Sequence, residues 1–147
     1  MHDSASTKPA CFRVNLHAAL RSADGSFLVN ATDAAAKQTE QRFEPLGGSF
    51  EEVCRQLEES DQVFVEPDGS FVYRCHQASF HVDGMIYDAD GRIQYIELKG
   101  TCFPSNWRTL LMMLGIRDPD TCAVQDIANG VVQSLEAFER ERFQGDR

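Results

Sequence analysis

The sequence predicts an α+β fold. We expect an antiparallel β-meander of about four to six strands, arranged as three hairpins, with two to four helices packed on one face. Three observations carry this. First, the pattern x-[AP]-D-G-[SR] occurs three times, at Ser22–Ser26, Glu66–Ser70 and Asp88–Arg92, each time between extended apolar segments. Asp-Gly between such segments is a strong hairpin signal, because Gly accepts the left-handed backbone a tight turn needs. Second, two later stretches carry apolar residues at helical spacing behind recognisable caps. Third, the chain has 147 residues, 42% of them hydrophobic, which suits one domain with one core.

Residues 1–10 are polar and read as a disordered tail ahead of a single domain over 11–147. Cys11 to Leu20 reads as a strand, and Phe27 to Asn30 as its hairpin partner across the first Asp-Gly turn. Thr32 or Asp33 can cap a short surface helix over Ala34 to Gln41. Phe43 to Leu46 reads as a short edge strand, since Pro45 argues against a central one. Ser49-x-x-Glu52 is a capping box, and Phe50, Val53, Cys54 and Leu57 then share one helical face to about Glu59. Gln62 to Glu66 and Phe71 to Cys75 are rich in β-branched and aromatic residues and form the second hairpin. Apolar residues on both faces place these strands in the middle of the sheet.

Ser79 to Gly100 is the longest hairpin. A three-residue loop over Ala89-Asp90-Gly91 pairs Asp88 with Arg92 and, counting outward, sets Asp83 directly opposite Glu97 and His81 opposite Lys99. His81, Asp83, Met85, Tyr87, Ile93, Tyr95, Glu97 and Lys99 then share one side. Phe80, Val82, Gly84, Ile86, Gln94, Ile96 and Leu98 make the other, mostly apolar side, which is the expected core face. A two-residue loop would shift the register by one and mix those faces, which argues against it. After Gly100 comes a helix capped by Ser105, with Trp107, Leu110, Leu111 and Leu114 facing the core and Gly115 closing it. For the last segment, a kinked helix carrying Val124, Ile127, Val131, Leu135 and Phe138 is preferred. A strand over Thr121 to Ala128 followed by a helix is the alternative, and Asn129-Gly130 is a turn signal in either case.

Two carboxylates face to face repel unless neutralised, and Lys99 or a divalent cation could do this. Asp83 followed by Glu97-x-Lys99 at the end of the next strand resembles the active-site hairpin of the PD-(D/E)XK nuclease superfamily. Val82 stands where that family often has Pro. The resemblance implies Mg²⁺ or Mn²⁺ held by Asp83 and Glu97, with Lys99 positioning the attacking water and nucleic acid as the substrate. It also implies a third ligand from the preceding helix. Glu51 is the candidate there, because Glu52 is spent on the cap. The competing reading is that Asp83, Glu97 and Lys99 are the solvated face of a strand pair.

The formal net charge is -9, which counts against general binding to a nucleic-acid backbone or an anionic membrane surface. No apolar run reaches the roughly 18 residues of a membrane span, and the N-terminal stretch is not a secretory signal, so a cytoplasmic location is expected. Cys11, Cys54, Cys75, Cys102 and Cys122 are widely spaced and match neither a disulfide framework nor a zinc motif. Without a phosphate loop or a nucleophile triad, the leading expectation is a non-enzymatic module. It would bind a protein or peptide partner, or self-associate, without a cofactor. The metal-dependent nuclease is the alternative.

Overall fold

The computed structural model describes residues 8–19, 45–75, 77 and 79–143. Among the described residues seven strands form one sheet: β1 (Ala10–Ala18), β2 (Val63–Val65), β3 (Ser70–Cys75), β4 (Phe80–Ala89), β5 (Arg92–Cys102), β6 (Cys122–Asp126) and β7 (Val132–Ser134). Their spatial order is β2-β3-β4-β5-β1-β6-β7, and every pairing is antiparallel. Three α-helices complete the described fold: α1 (Phe50–Glu58), α2 (Pro104–Met113) and α3 (Leu135–Phe143). The expected meander is present as β2-β3-β4-β5. β1 lies outside it, inserted between β5 and β6. The expected hairpin at 22–26, the strand at 27–30 and the helix at 34–41 lie outside the described residues. Only Pro45 and Leu46 of the expected edge strand are described, and neither is in a strand.

Alternation along the strands decides which side is core. Phe12, Val14 and Leu16 of β1, Val82 and Ile86 of β4, and Ile96 and Leu98 of β5 are all buried. They join one cluster with Val53 and Leu57 of α1, Trp107, Leu110 and Leu111 of α2, and Leu135, Phe138 and Phe143 of α3. All three helices therefore lie on the same face of the sheet. Trp107 anchors this layer. Its ring meets Phe12 edge-on at 5.1 Å and Phe138 at 5.3 Å, and its indole N–H donates to Glu139 Oε2 at 2.9 Å.

The caps follow local chemistry. Ser49 Oγ accepts the Glu52 N–H at 3.2 Å and starts α1. α2 starts two residues earlier than Ser105 as its cap would place it. Pro104 takes the first helical position, where a missing N–H costs nothing, and the Asn106 side chain accepts the Phe103 N–H at 3.0 Å. At the other end Gly115 (φ +86°) donates to Met112 O, and Ile116 N–H donates to Leu111 O at 2.9 Å, which closes α2 with a Schellman motif.

Two expectations are corrected. The preferred helix over residues 121–130 is a hairpin. Cys122, Ala123 and Val124 are all buried, so the apolar run belongs to an inner strand covered on both sides. Asn129-Gly130 makes the turn, with Gly130 at φ +75° and the Val131 N–H bonded to Asn129 Oδ1 at 2.9 Å. β6 runs antiparallel to β1. The second correction concerns β2, which among the described strands lies at the edge and not in the middle. Its second apolar face is a single residue, Phe64, which is 65% exposed.

Candidate functional site

The central hairpin turns differently from its expected geometry. Asp90 (φ +54°) and Gly91 (φ +81°) both lie in the left-handed region, as a two-residue type I′ turn requires, and Ala89 pairs with Arg92. The register then shifts between Tyr87 and Asp88. Asp88 pairs with Ile93 while Tyr87 pairs with Tyr95, so Gln94 is the extra residue of a β-bulge. The bulge restores the alternation that a two-residue loop would otherwise have mixed. It also moves Ile93 to the core side, where it is 1% exposed. The β2–β3 turn takes the three-residue form instead. Glu66 N–H donates to Ser70 O at 2.8 Å, and only Gly69 (φ +99°) is left-handed. The difference lies at the first loop position. Pro67 fixes φ near that of a type I turn, whereas Ala89 is free to pair.

The consequence for the candidate residues is direct. Asp83 faces Lys99, and Glu97 faces Met85. Asp83 and Glu97 share a face but are diagonal neighbours, so the expected face-to-face acid pair does not form. The unfavourable juxtaposition that a cation would relieve is replaced by a favourable one across the strands. Each acid also has its own partner. Asp83 Oδ1 lies 3.1 Å from His81 Nε2. Glu97 accepts from the Tyr87 hydroxyl at 3.3 Å and lies 3.9 Å from Arg13 Nε. Glu51 is exposed on α1, whose Val53 and Leu57 pack on the other side of the sheet, so it does not join Asp83 and Glu97. Among the described residues, no three His, Cys, Asp or Glu side chains form a group able to hold a metal.

These residues lie on the sheet face opposite the helices, and their arrangement can be followed row by row. Cross-strand pairing aligns Phe64, Val72, Asp83, Lys99 and Arg13 in one row. The next row holds Ser70, Met85, Glu97, Asn15 and Gln125. Beyond it, Tyr87 pairs with Tyr95, and their rings stack at 4.5 Å with 19° between planes. His17 lies against Tyr95 at 5.5 Å.

The face has a wet end and a dry end. Around β2–β5, Phe64, His81, Asp83 and Lys99 are exposed, and Val72, Met85 and Tyr87 are partly buried. Around β1, β6 and β7, His17, Ala123 and Val132 are buried. Burial pushes the His17 imidazole below its ordinary value, against an opposing hydrogen bond with Gln125. The 2.8 Å Nε2–Oε1 distance suits a neutral ring donating from Nε2. Asn15 donates to the same Oε1 at 3.4 Å. Partial desolvation, then the Glu97 and Tyr95 charges, push the Tyr87 phenol up.

Residue reasoning placed His81, Asp83, Glu97 and Lys99 on one face, and they are there. It missed Phe64 as a surface feature. The signal was present in the acids and polar residues that bracket Val63-Phe64-Val65, which mark an edge strand. A separate cleft between α1 and the segment after α2 is bordered by Glu52, Arg55, Glu59 and Arg117, all exposed, and has no connection to the hairpin residues. Among the described residues no helix is long and apolar enough to cross a membrane. Compared with protein families, with curated proteins and with solved structures, this chain finds no match.

Proposed function

We propose that this chain is a non-enzymatic module that binds a protein or peptide partner on the helix-free face of its sheet, at the β2–β5 end. The observation that carries this reading is the position of Phe64. It and Met112 are the exposed large hydrophobic residues among those described, and Phe64 sits beside partly buried Val72, with Met85 next along the face. An apolar patch rimmed by charges is the ordinary signature of an interaction surface. The charges around it (Arg74, His81, Asp83, Lys99) are mixed in sign and suit a polar rim more than a phosphate groove. The metal-dependent nuclease reading has less support, because its two acids are diagonal and separately partnered and Glu51 lies across the sheet.

A displayed library of random peptides, selected on the wild-type protein and counter-screened on Met85→Lys, tests the proposal. Selected peptides should bind the wild type at least tenfold more tightly than the variant while both proteins melt at the same temperature. A selection that yields no binder would sink the module reading. Binders indifferent to Met85→Lys would remove this face as the site.

A further inference from the structure

Among the described residues β2 ends the sheet, and its backbone shows which groups remain available. Arg74 N–H donates to Gln62 O and Glu66 N–H donates to Ser70 O, while Phe64 pairs with Val72. In an antiparallel ladder, residues exchanging both bonds alternate with residues whose groups point outward. Gln62, Phe64 and Glu66 therefore spend their groups on β3, and Val63 and Val65 direct theirs away from it. Val63 N–H turns back to Ser60 O at 3.2 Å. The Val65 N–H and the Val63 and Val65 carbonyls are left facing outward, with no further strand among the described residues beyond them.

Charge decides what fits there. From residue 58 to residue 68 the chain carries Glu58, Glu59, Asp61, Glu66 and Asp68 and neither Lys nor Arg. A second copy offering its own β2 would bring the same acids against these and be repelled. A segment carrying Lys or Arg would be attracted. On the helix-free side Phe64 and Val72 offer an apolar shelf, and on the other side α1 touches β2, with Glu58 and Glu59 at its end. An added strand would thus meet apolar surface on one face and carboxylates on the other.

Resting on the binding-module reading above, we infer that β2 is a docking edge for an extended segment of a partner protein with alternating apolar and basic residues, added as a further antiparallel or parallel strand. Its main chain pairs with Val65 and Val63. Its apolar side chains lie on Phe64 and Val72, its Lys or Arg side chains on the α1 side face Glu58, Glu59 and Asp61, and Glu66 adds negative charge at the end of the strand.

The probes are a fluorescein-labelled Val/Lys alternating decapeptide and its Val/Glu counterpart, read by anisotropy and by amide chemical shifts of residues 62–66. Val65→Pro removes the outward N–H without breaking a ladder bond, a position where edge strands tolerate Pro. Asp61→Lys with Glu66→Lys reverses the charge at solvent-exposed sites and guards against a folding defect in the first variant. The expected result is that the Lys peptide binds the wild type at least tenfold more tightly than either variant, loses affinity in high salt, and shifts the Val65 amide. The Glu peptide should prefer the charge-reversed protein. Equal binding of the two peptides to the wild type would overturn the inference and leave the acids as a guard against edge pairing. If Met85→Lys abolishes binding while Val65→Pro does not, the partner lies on the sheet face: the edge inference fails and the module reading stands. If neither charged peptide binds and the library selection is also empty, both fail.

Discussion

Gly84 on β4 faces Phe71 on β3, and a methyl group there tests the register on which the functional face depends. A Cβ at Gly84 would stand 2.1 Å from Phe71 Cζ, with Cε1 at 2.4 Å and Cε2 at 2.6 Å. Ordinary contact begins at 3.4 Å, so the ring must retreat by about 1.3 Å (3.4 minus 2.1). Phe71 is 2% exposed and has no route to solvent. Overpacking of this kind costs about 1–3 kcal/mol. Replacing a strand glycine by alanine returns about 0.5–1 kcal/mol of chain entropy, so the net loss is at most about 2.5 kcal/mol. For a domain of this size that is a fall in Tm of up to about 10 °C, at about 2–4 °C per kcal/mol. Phe71→Leu shortens the side chain that collides. In a double-mutant cycle by urea unfolding, Gly84→Ala should cost much less in the Phe71→Leu background, with a coupling of about 0.5–2 kcal/mol. Additivity within about 0.3 kcal/mol would mean that the two residues do not meet, and the placement of Asp83 and Met85 on the opposite face would fall with it.

Other outcomes follow from the same geometry. His17 has a lowered value in the fold, so between that value and 6.5 the unfolded chain binds the extra proton. Its contribution is therefore complete above 6.5 and is lost as pH falls toward the lowered value. Wild-type stability should drop more steeply than that of His17→Gln across this window, and parallel curves would refute the assignment. Millimolar Mg²⁺ or Mn²⁺ should leave the melting temperature unchanged in both wild type and Glu97→Ala. A rise seen only in the wild type would reinstate the metal reading, because a ligand bound to the native state must stabilise it. Burial pushes the Cys102 and Cys122 thiols up to about 12, so a thiol reagent should label exposed Cys11 in the native protein and reach those two only on unfolding. Trp107→Ala should cost about 3–5 kcal/mol in urea unfolding, since it empties the centre of the helix layer and strands Glu139.

Local signals carried much of this fold. Ser49 and Glu52 announced α1, Gly115 and Ile116 announced the end of α2, and Phe71 to Cys75 read as strand from side-chain type alone. What failed depended on information that is not local. Thr121 to Ala128 is apolar at a spacing that suits either a helix or a strand covered on both sides, and only pairing with β1 selects the strand. Whether Val63-Phe64-Val65 sits in the middle or at the margin depends on which strand lies beyond it. The site suffered from the same gap. Membership of a face follows from parity and was read correctly for His81, Asp83, Glu97 and Lys99. Which residue stands opposite which depends on the turn, and there Asp-Gly was compatible with two loop lengths. The longer was preferred because a bulge at Gln94 leaves no composition signature.

That bulge gives the long hairpin a property its length alone would not. The turn end, from Asp88 to Ile93, and the charged end, from His81 to Thr101, are in separate phase, with Gln94 absorbing the difference. Deleting Gln94 should therefore only remove the bulge, leaving Asp88 opposite Ile93, Tyr87 opposite Tyr95 and the Asp83–Lys99 alignment untouched, and a residue added beside Asp90 should only lengthen the loop. The joint works as a tolerance: the tip of the hairpin is free to vary in length across descendants of this sequence without disturbing the surface further along.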